Sequence, residues 1–153
     1  MRISGPAPAE RGFTLVELML VLAVLALAAT VVLLTLPSGE QRVAGEADRL
    51  AVRIAALRDL AIVEGRAMAI TVQPSGYGFE RRVGEGWDAV PGRSFAAHDA
   101  PSGIRFAGEG AAAERIVFDA LGMTDTRRTL AVSDGTVTAR LRVSATGEVA
   151  RGE

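Results

Sequence analysis

Glu17 is the residue whose setting most calls for chemistry. It is a carboxylate inside an apolar run, and the next charged residue after it is Glu40. A charge in such a segment is costly and needs a task or a partner. Arg11, Gly12 and Phe13 stand just before it, a basic residue and a glycine at the mouth of the run. Other residues equipped for chemistry are few. His98 is the only histidine and there is no cysteine. A histidine-based metal cluster, a thiol nucleophile and a disulfide are therefore excluded. A Ser–His–Asp set could be assembled only from His98 and a distant serine, and Asp99 and Pro101 beside it predict an exposed surface loop. No pair of acids stands out as general acid and base. Gly76-Tyr77-Gly78 and Gly84-Glu85-Gly86 lack the following helix start with Lys and Ser or Thr that a phosphate loop requires. Arg81-Arg82 and Arg127-Arg128 lie next to Glu80 and Asp125, which argues against a patch that tracks nucleic-acid phosphates. These residues predict a protein that is not an enzyme and holds no metal or cofactor.

The element that must position Glu17 is a membrane helix. From Leu18 to Leu36 no residue is charged and only Thr30 and Thr35 are polar. That stretch makes about 28 Å of helix, close to the hydrocarbon thickness of a bilayer. A cleaved secretory signal has a shorter core and a small-residue cleavage site after it. Here the run ends at Thr35-Leu36-Pro37 without that site. Arg2 and Arg11 precede the span, which predicts a cytoplasmic N-terminus and a remainder on the opposite side. Ala23, Ala26, Ala28 and Ala29 would let neighbouring helices approach closely.

Past the span the helix is expected to continue, with Pro37-Ser38-Gly39 able to kink or interrupt it. Val43, Ala47, Leu50, Ile54, Leu57 and Ala61 recur at spacings of four and three, one apolar stripe of an amphipathic helix. Arg42, Glu46, Arg49, Arg53 and Asp59 are expected on its other faces, with Glu46 and Arg49 as direct neighbours. Glu64-Gly65 offers a stop. From Arg66 the period changes to two. Strands are expected at 67–73, 77–83 and 87–90, then at 94–97, 104–106, 115–118, 129–133, 136–143 and 148–150. Pro74-Ser75-Gly76, Gly84-Glu85-Gly86 and Ala145-Thr146-Gly147 read as turns, and Asp134-Gly135 as a two-residue hairpin. The stretch 108–114 reads as an exposed loop. Val137, Ala139, Leu141 and Val143 share one face, so the sheet should be half-buried. The fold class is α+β, a long N-terminal helix packed on a small antiparallel β-domain. The 153 residues and formal net charge of −1 suit one domain plus an anchor, without a global field toward nucleic acid.

The run Gly12-Phe13-Thr14-Leu15-Val16-Glu17-Leu18-Met19 resembles the processing region of the type IV pilin and type II secretion pseudopilin family. Leu57 to Arg66, Gly76-Tyr77-Gly78-Phe79, Trp87, Ile104-Arg105-Phe106, Ile116 to Met123 and Leu141 to Val149 are similar to the GspH/FimT group within it. The resemblance implies a leader at 1–12, an assembly helix at 13–36, its amphipathic continuation at 37–65 and a periplasmic β-domain at 66–153. It implies cleavage between Gly12 and Phe13 by a prepilin peptidase, N-methylation of Phe13, and pairing of Glu17 with the terminal amine of Phe13 in a neighbouring subunit. The partners implied are other pseudopilins and inner-membrane lipid. The function implied is that of a minor pseudopilin at or near the tip of the pseudopilus, aiding export of folded proteins across the outer membrane. The alternative is a FimT/FimU-like minor pilin linked to DNA uptake. Such a protein would favour a basic C-terminal tract and often a disulfide, whereas this chain ends Ala150-Arg151-Gly152-Glu153 and has no cysteine.

Overall fold

Helix-forming leucines and alanines open the chain. The computed structural model describes residues 14–35, 38–108 and 113–152, with the backbone alone for 31–35. Gly12, Phe13 and the rest of the expected leader lie outside the described residues. Helix α1 runs Leu15–Thr35, 21 residues with one acid, Glu17, in its first turn. Described side chains end within α1 at Thr30, and among the described residues no helix is long and apolar enough to cross a membrane. The helical backbone continues to Thr35. Thr30 donates its hydroxyl to the Ala26 carbonyl at 2.9 Å, so this polar side chain is satisfied within its own helix.

Helix α2 spans Gly39–Glu64 and starts afresh. Ser38 is extended, its hydroxyl accepts from the Gln41 amide, and the Gln41 side chain accepts from the Ser38 amide. This reciprocal capping box satisfies two amides that would otherwise be orphaned. Ser38 thus interrupts the helix, one of the outcomes that Pro37-Ser38-Gly39 allows. Gly65 ends α2 in the left-handed conformation, φ 60°, with its amide returned to Ala61 and Ile62. The stripe Val43, Ala47, Leu50, Ile54, Leu57 and Ala61 is buried throughout, as its spacing predicts. Glu46, expected on a solvent face, is buried as well.

Among the described residues nine strands follow: β1 Met68–Gln73, β2 Gly76–Val83, β3 Gly86–Ala89, β4 His98–Asp99, β5 Arg105–Gly108, β6 Glu114–Phe118, β7 Arg128–Ser133, β8 Thr138–Val143 and β9 Val149–Gly152. Every pairing is antiparallel, in two sheets. The first has the order β3-β2-β1-β6, with β4 also on β2, and the second β5-β7-β8-β9. Met68, Ile70 and Val72 of β1 face a single core with the α2 stripe, Phe79, Phe106, Phe118, Leu130 and Leu141. Ala69 lies on the other face of this central strand, in register with Glu80 and Val117, and is also fully buried. Along β8, Leu141 and Val143 are buried and Val137 and Ala139 half-buried, the one-sided burial that alternation predicts.

Two local expectations fail, and a third is trimmed at its edges. The segment 94–97 is not a strand: Arg93–Phe95 form one turn of 3-10 helix. Asp134-Gly135 does not make a two-residue hairpin. The register pairs Ser133 with Thr138, leaving a loop from Asp134 to Val137. Asp134 Oδ1 accepts from the amides of Thr136 and Val137, and the side chain builds the turn that two residues alone would have made. The expected loop at 108–114 begins and ends in strands, at Gly108 and Glu114, and 109–112 lie outside the described residues.

Candidate assembly site

The first turn of α1 is built by Thr14. Its hydroxyl accepts from the Glu17 amide at 3.2 Å, and its carbonyl accepts from the Leu18 amide at 3.1 Å. Thr14 is therefore the N-cap, and Glu17 sits three residues on, where the helix dipole favours a negative charge. The Thr-x-x-Glu pattern signals this cap in the sequence, and treating Glu17 as an isolated charge passes over it. Among the described residues Glu17 has no ion-pair partner.

The side chains from Leu15 to Thr30 are all exposed, on every face of the helix. Leu15 is 75% and Leu27 70% exposed. A helix apolar all round requires lipid or other helices about it. Ala23, Ala26, Ala28 and Ala29 leave room for such neighbours.

Among the described residues the folded domain carries no second chemical centre of comparable definition. His98, expected in an exposed loop, is instead drawn into β4 and half-buried. Its Nε2 lies 3.0 Å from Glu46 Oε2, while Glu46 Oε1 accepts from Arg49 at 2.5 Å. The His98 ring lies 4.9 Å from that of Tyr77. Arg53 sits over Tyr77 and Phe79 and donates to the carbonyls of Ser94 and Ala96. Burial raises the Tyr77 hydroxyl above its usual 10.0, against the opposing effect of Arg53. Gly76 is obligatory here. A Cβ on it would lie 2.1 Å from the His98 carbonyl. The polar groups of this cluster satisfy one another and tie α2 to the segment 93–99, with no nucleophile beside His98. No spacing in the sequence joins Glu46 to His98, because the contact arises only when β4 pairs with β2.

Beside the cluster, a surface groove of about 630 Å³ is lined by residues including Thr71, Gly78, Glu80 and Arg115. Arg115 donates to Glu80 at 2.6 Å, and Arg82 and Arg115 stack on Trp87. Of the doublet Arg127-Arg128, Arg128 is paired to Asp125 and Glu114. Among the described residues no group of three His, Asp or Glu could hold a metal.

Comparison with known proteins decides what such a chain is. Residues 8–33 match the prokaryotic N-terminal methylation motif. Residues 46–147, well over half the chain, match the model of the type II transport protein GspH. The chain belongs to the GspH family. The fold agrees with two solved relatives. One is the minor pseudopilin EpsH of the Vibrio cholerae type II secretion system, 14% identical, with a TM-score of 0.62 over 75% of this chain and 98% of that one. The other is the type IV minor pilin FimU of Pseudomonas aeruginosa, 22% identical, with a TM-score of 0.59 over 72% and 88%. At these identities both likenesses concern the fold alone. No curated protein sequence matches the chain. As a GspH-type minor pseudopilin of type II secretion, the protein is structural and not an enzyme. The methylation motif implies processing by a prepilin peptidase and inner-membrane anchoring before assembly, and the family implies filament partners.

Proposed function

We propose that this GspH-type subunit stands at or near the tip of a short periplasmic pseudopilus and aids export of folded proteins across the outer membrane. In this reading the chain crosses the inner membrane once, with the N-terminus cytoplasmic and the domain from Pro37 onward periplasmic. Prepilin peptidase cuts between Gly12 and Phe13, and the new terminus is N-methylated. The single observation that carries the reading is α1: an apolar helix exposed on every face, with one carboxylate in its capped first turn.

A charge at the centre of a membrane helix costs about 2.5–3.5 kcal/mol on insertion scales, and less near the interface. Glu17 is only four residues beyond Phe13, so in the membrane it reaches the headgroup region. In a filament core that route to water closes. The terminal amine of Phe13 on a staggered neighbour then compensates the carboxylate, and loss of either partner strands the other. The pair selects register as well as partner.

The test is export in a strain lacking this chain. Periplasmic accumulation of folded substrates, reversed by the wild-type gene, is expected. Undiminished export without the chain would overturn the reading. The rival role, a FimU-like minor pilin linked to DNA uptake, has the shared fold on its side. It predicts tight, salt-sensitive binding of double-stranded DNA, whereas the pseudopilin role and a formal net charge of −1 predict none.

A further inference from the structure

The four strands of the second sheet carry Arg105, Arg128, Arg140, Arg142 and Arg151 and no acid. The first sheet, by contrast, holds Glu80, Asp88, Asp99 and Glu114 among its strands. Alternation sorts the arginines of the second sheet onto two faces. Arg128 and Arg151 are in register with Val143 and Leu141, on the core-facing side, and there they meet acids of other elements. Arg128 reaches Glu114 and Asp125, and Arg151 reaches Asp48 of α2. Arg105, Arg140 and Arg142 fall on the outer face and are all exposed. Among the described residues none of these three has an ion-pair partner. Between them stand Ala107, Ala131 and Ala150, in register with Ala131, Arg140 and Arg142.

This face is positive and low in relief. Besides the alanines it presents small hydroxyls, and Thr138 donates to Ser133 across the strands at 2.9 Å. The one aromatic residue of these strands, Phe106, is buried in the core on the opposite side. Acids of the described residues stand only at the margins. Glu148 is exposed just before β9, and Asp134 of the β7–β8 turn lies against Gly39 of α2. The complement of such a face is a broad anionic surface.

Magnitude selects the occupant. An arginine close to an anionic membrane is worth on the order of fivefold in affinity, and the attraction fades within a Debye length of about 8 Å. Three such residues give about a hundredfold. That is too little to hold a DNA duplex from solution, where strong binding uses about 6–10 phosphate contacts. Single-stranded nucleic acid would ask for aromatic side chains on which bases stack, and this face has none. The same three arginines suffice against a surface to which the domain is already tethered, because the encounter is then intramolecular. The methylation motif implies inner-membrane anchoring, and only Leu36 and Pro37 stand between α1 and Ser38. A link that short spans at most about 11 Å. The formal net charge of −1 does not oppose the contact, since within a Debye length the bilayer meets this face and not the whole domain. We propose that the outer face of the second sheet docks the domain on anionic phospholipid headgroups of the bilayer that anchors α1, with Arg105, Arg140 and Arg142 as the contacts. The docking rests on that anchoring and not on a place at the pseudopilus tip.

The test uses the full chain reconstituted in vesicles of phosphatidylcholine, alone or mixed with phosphatidylglycerol. A photoreactive benzophenone amino acid replaces the exposed Ala150 on the face, and in a control it replaces the exposed Glu85 of the β2–β3 turn. Adducts are identified by mass spectrometry. Lipid adducts from position 150 are expected in the mixed vesicles, with about tenfold fewer in phosphatidylcholine alone or at high salt. Arg105→Gln, Arg140→Gln and Arg142→Gln together should lower them to the level seen from position 85. Lysine at the same three positions should keep them, which separates lost charge from lost fold. Equal adducts in the two kinds of vesicle would overturn the docking. So would an unchanged yield from the glutamine variant, or a lysine variant that loses the adducts as glutamine does. Adducts from position 150 to a second copy, or to added duplex DNA, in place of lipid would overturn it as well. In all these cases the chain stays with the vesicles and the anchoring stands. A chain stripped from the vesicles by alkaline carbonate would overturn the anchoring, and the docking with it.

Discussion

At the residue scale, two carboxylates show how the same group serves different ends. Glu17 sits behind a threonine cap at the start of an apolar helix, where the proposed assembly role gives it a partner on another subunit. Asp134 works inside its own turn. The amides of Val137 and then Thr136 stabilise its ionised form and hold its pKa below the ordinary 3.8. A depressed carboxylate contributes stability above its unfolded value and loses it as pH falls through its folded value. Asp134→Ala should therefore lower the denaturant midpoint of the detergent-solubilised chain at neutral pH, with the gap from wild type closing as pH falls below the ordinary carboxylate range. A gap that stayed constant with pH would show that the carboxylate's charge contributes nothing. The residues around Glu17 are legible in the sequence because a charge within an apolar run is visible without any fold. Glu46 and His98 are not legible. They lie on an α2 face and on a two-residue strand, and only the completed sheet brings them together.

At the element scale, α2 is the part that periodicity describes best. Its stripe is buried at all six positions the spacing selects, and it supplies one wall of the core. Ile54 is wholly buried there. Ile54→Ala should cost about 2–5 kcal/mol of unfolding free energy, through lost transfer energy and the cavity left behind. Equilibrium denaturation checks it, and a loss below about 1 kcal/mol would mean the core closes over the gap. The longer strands are legible because alternation and turn residues bound them. The segment 93–99 is not, since its conformation is set by Arg53 reaching the Ser94 and Ala96 carbonyls and by Glu46 reaching His98. Those are tertiary bonds that no local pattern encodes. The division into two sheets is hidden for the same reason: β6 pairs with β1 and β5 with β7, across stretches that local propensity does not connect.

At the scale of the whole molecule, the chain divides into two units, Met1–Pro37 and Ser38–Glu153, with different surfaces. The domain from Ser38 onward pairs several of its arginines with carboxylates and leaves Leu121 exposed. Helix α1 leaves nearly all of its surface apolar and keeps one charge. This division suits a subunit that is processed, held in a membrane and then drawn into a filament, and it fits membership of a structural family. The central claim is that Glu17 serves assembly and not insertion or processing. The most direct measurement is the content of this chain in sedimented pseudopili from cells expressing wild type or Glu17→Ala, alongside the N-terminal mass of the membrane-bound protein. Both chains are predicted to begin at an N-methylated Phe13 in the membrane, with only the wild type entering filaments. A Glu17→Ala chain found in filaments at the wild-type level would contradict the account.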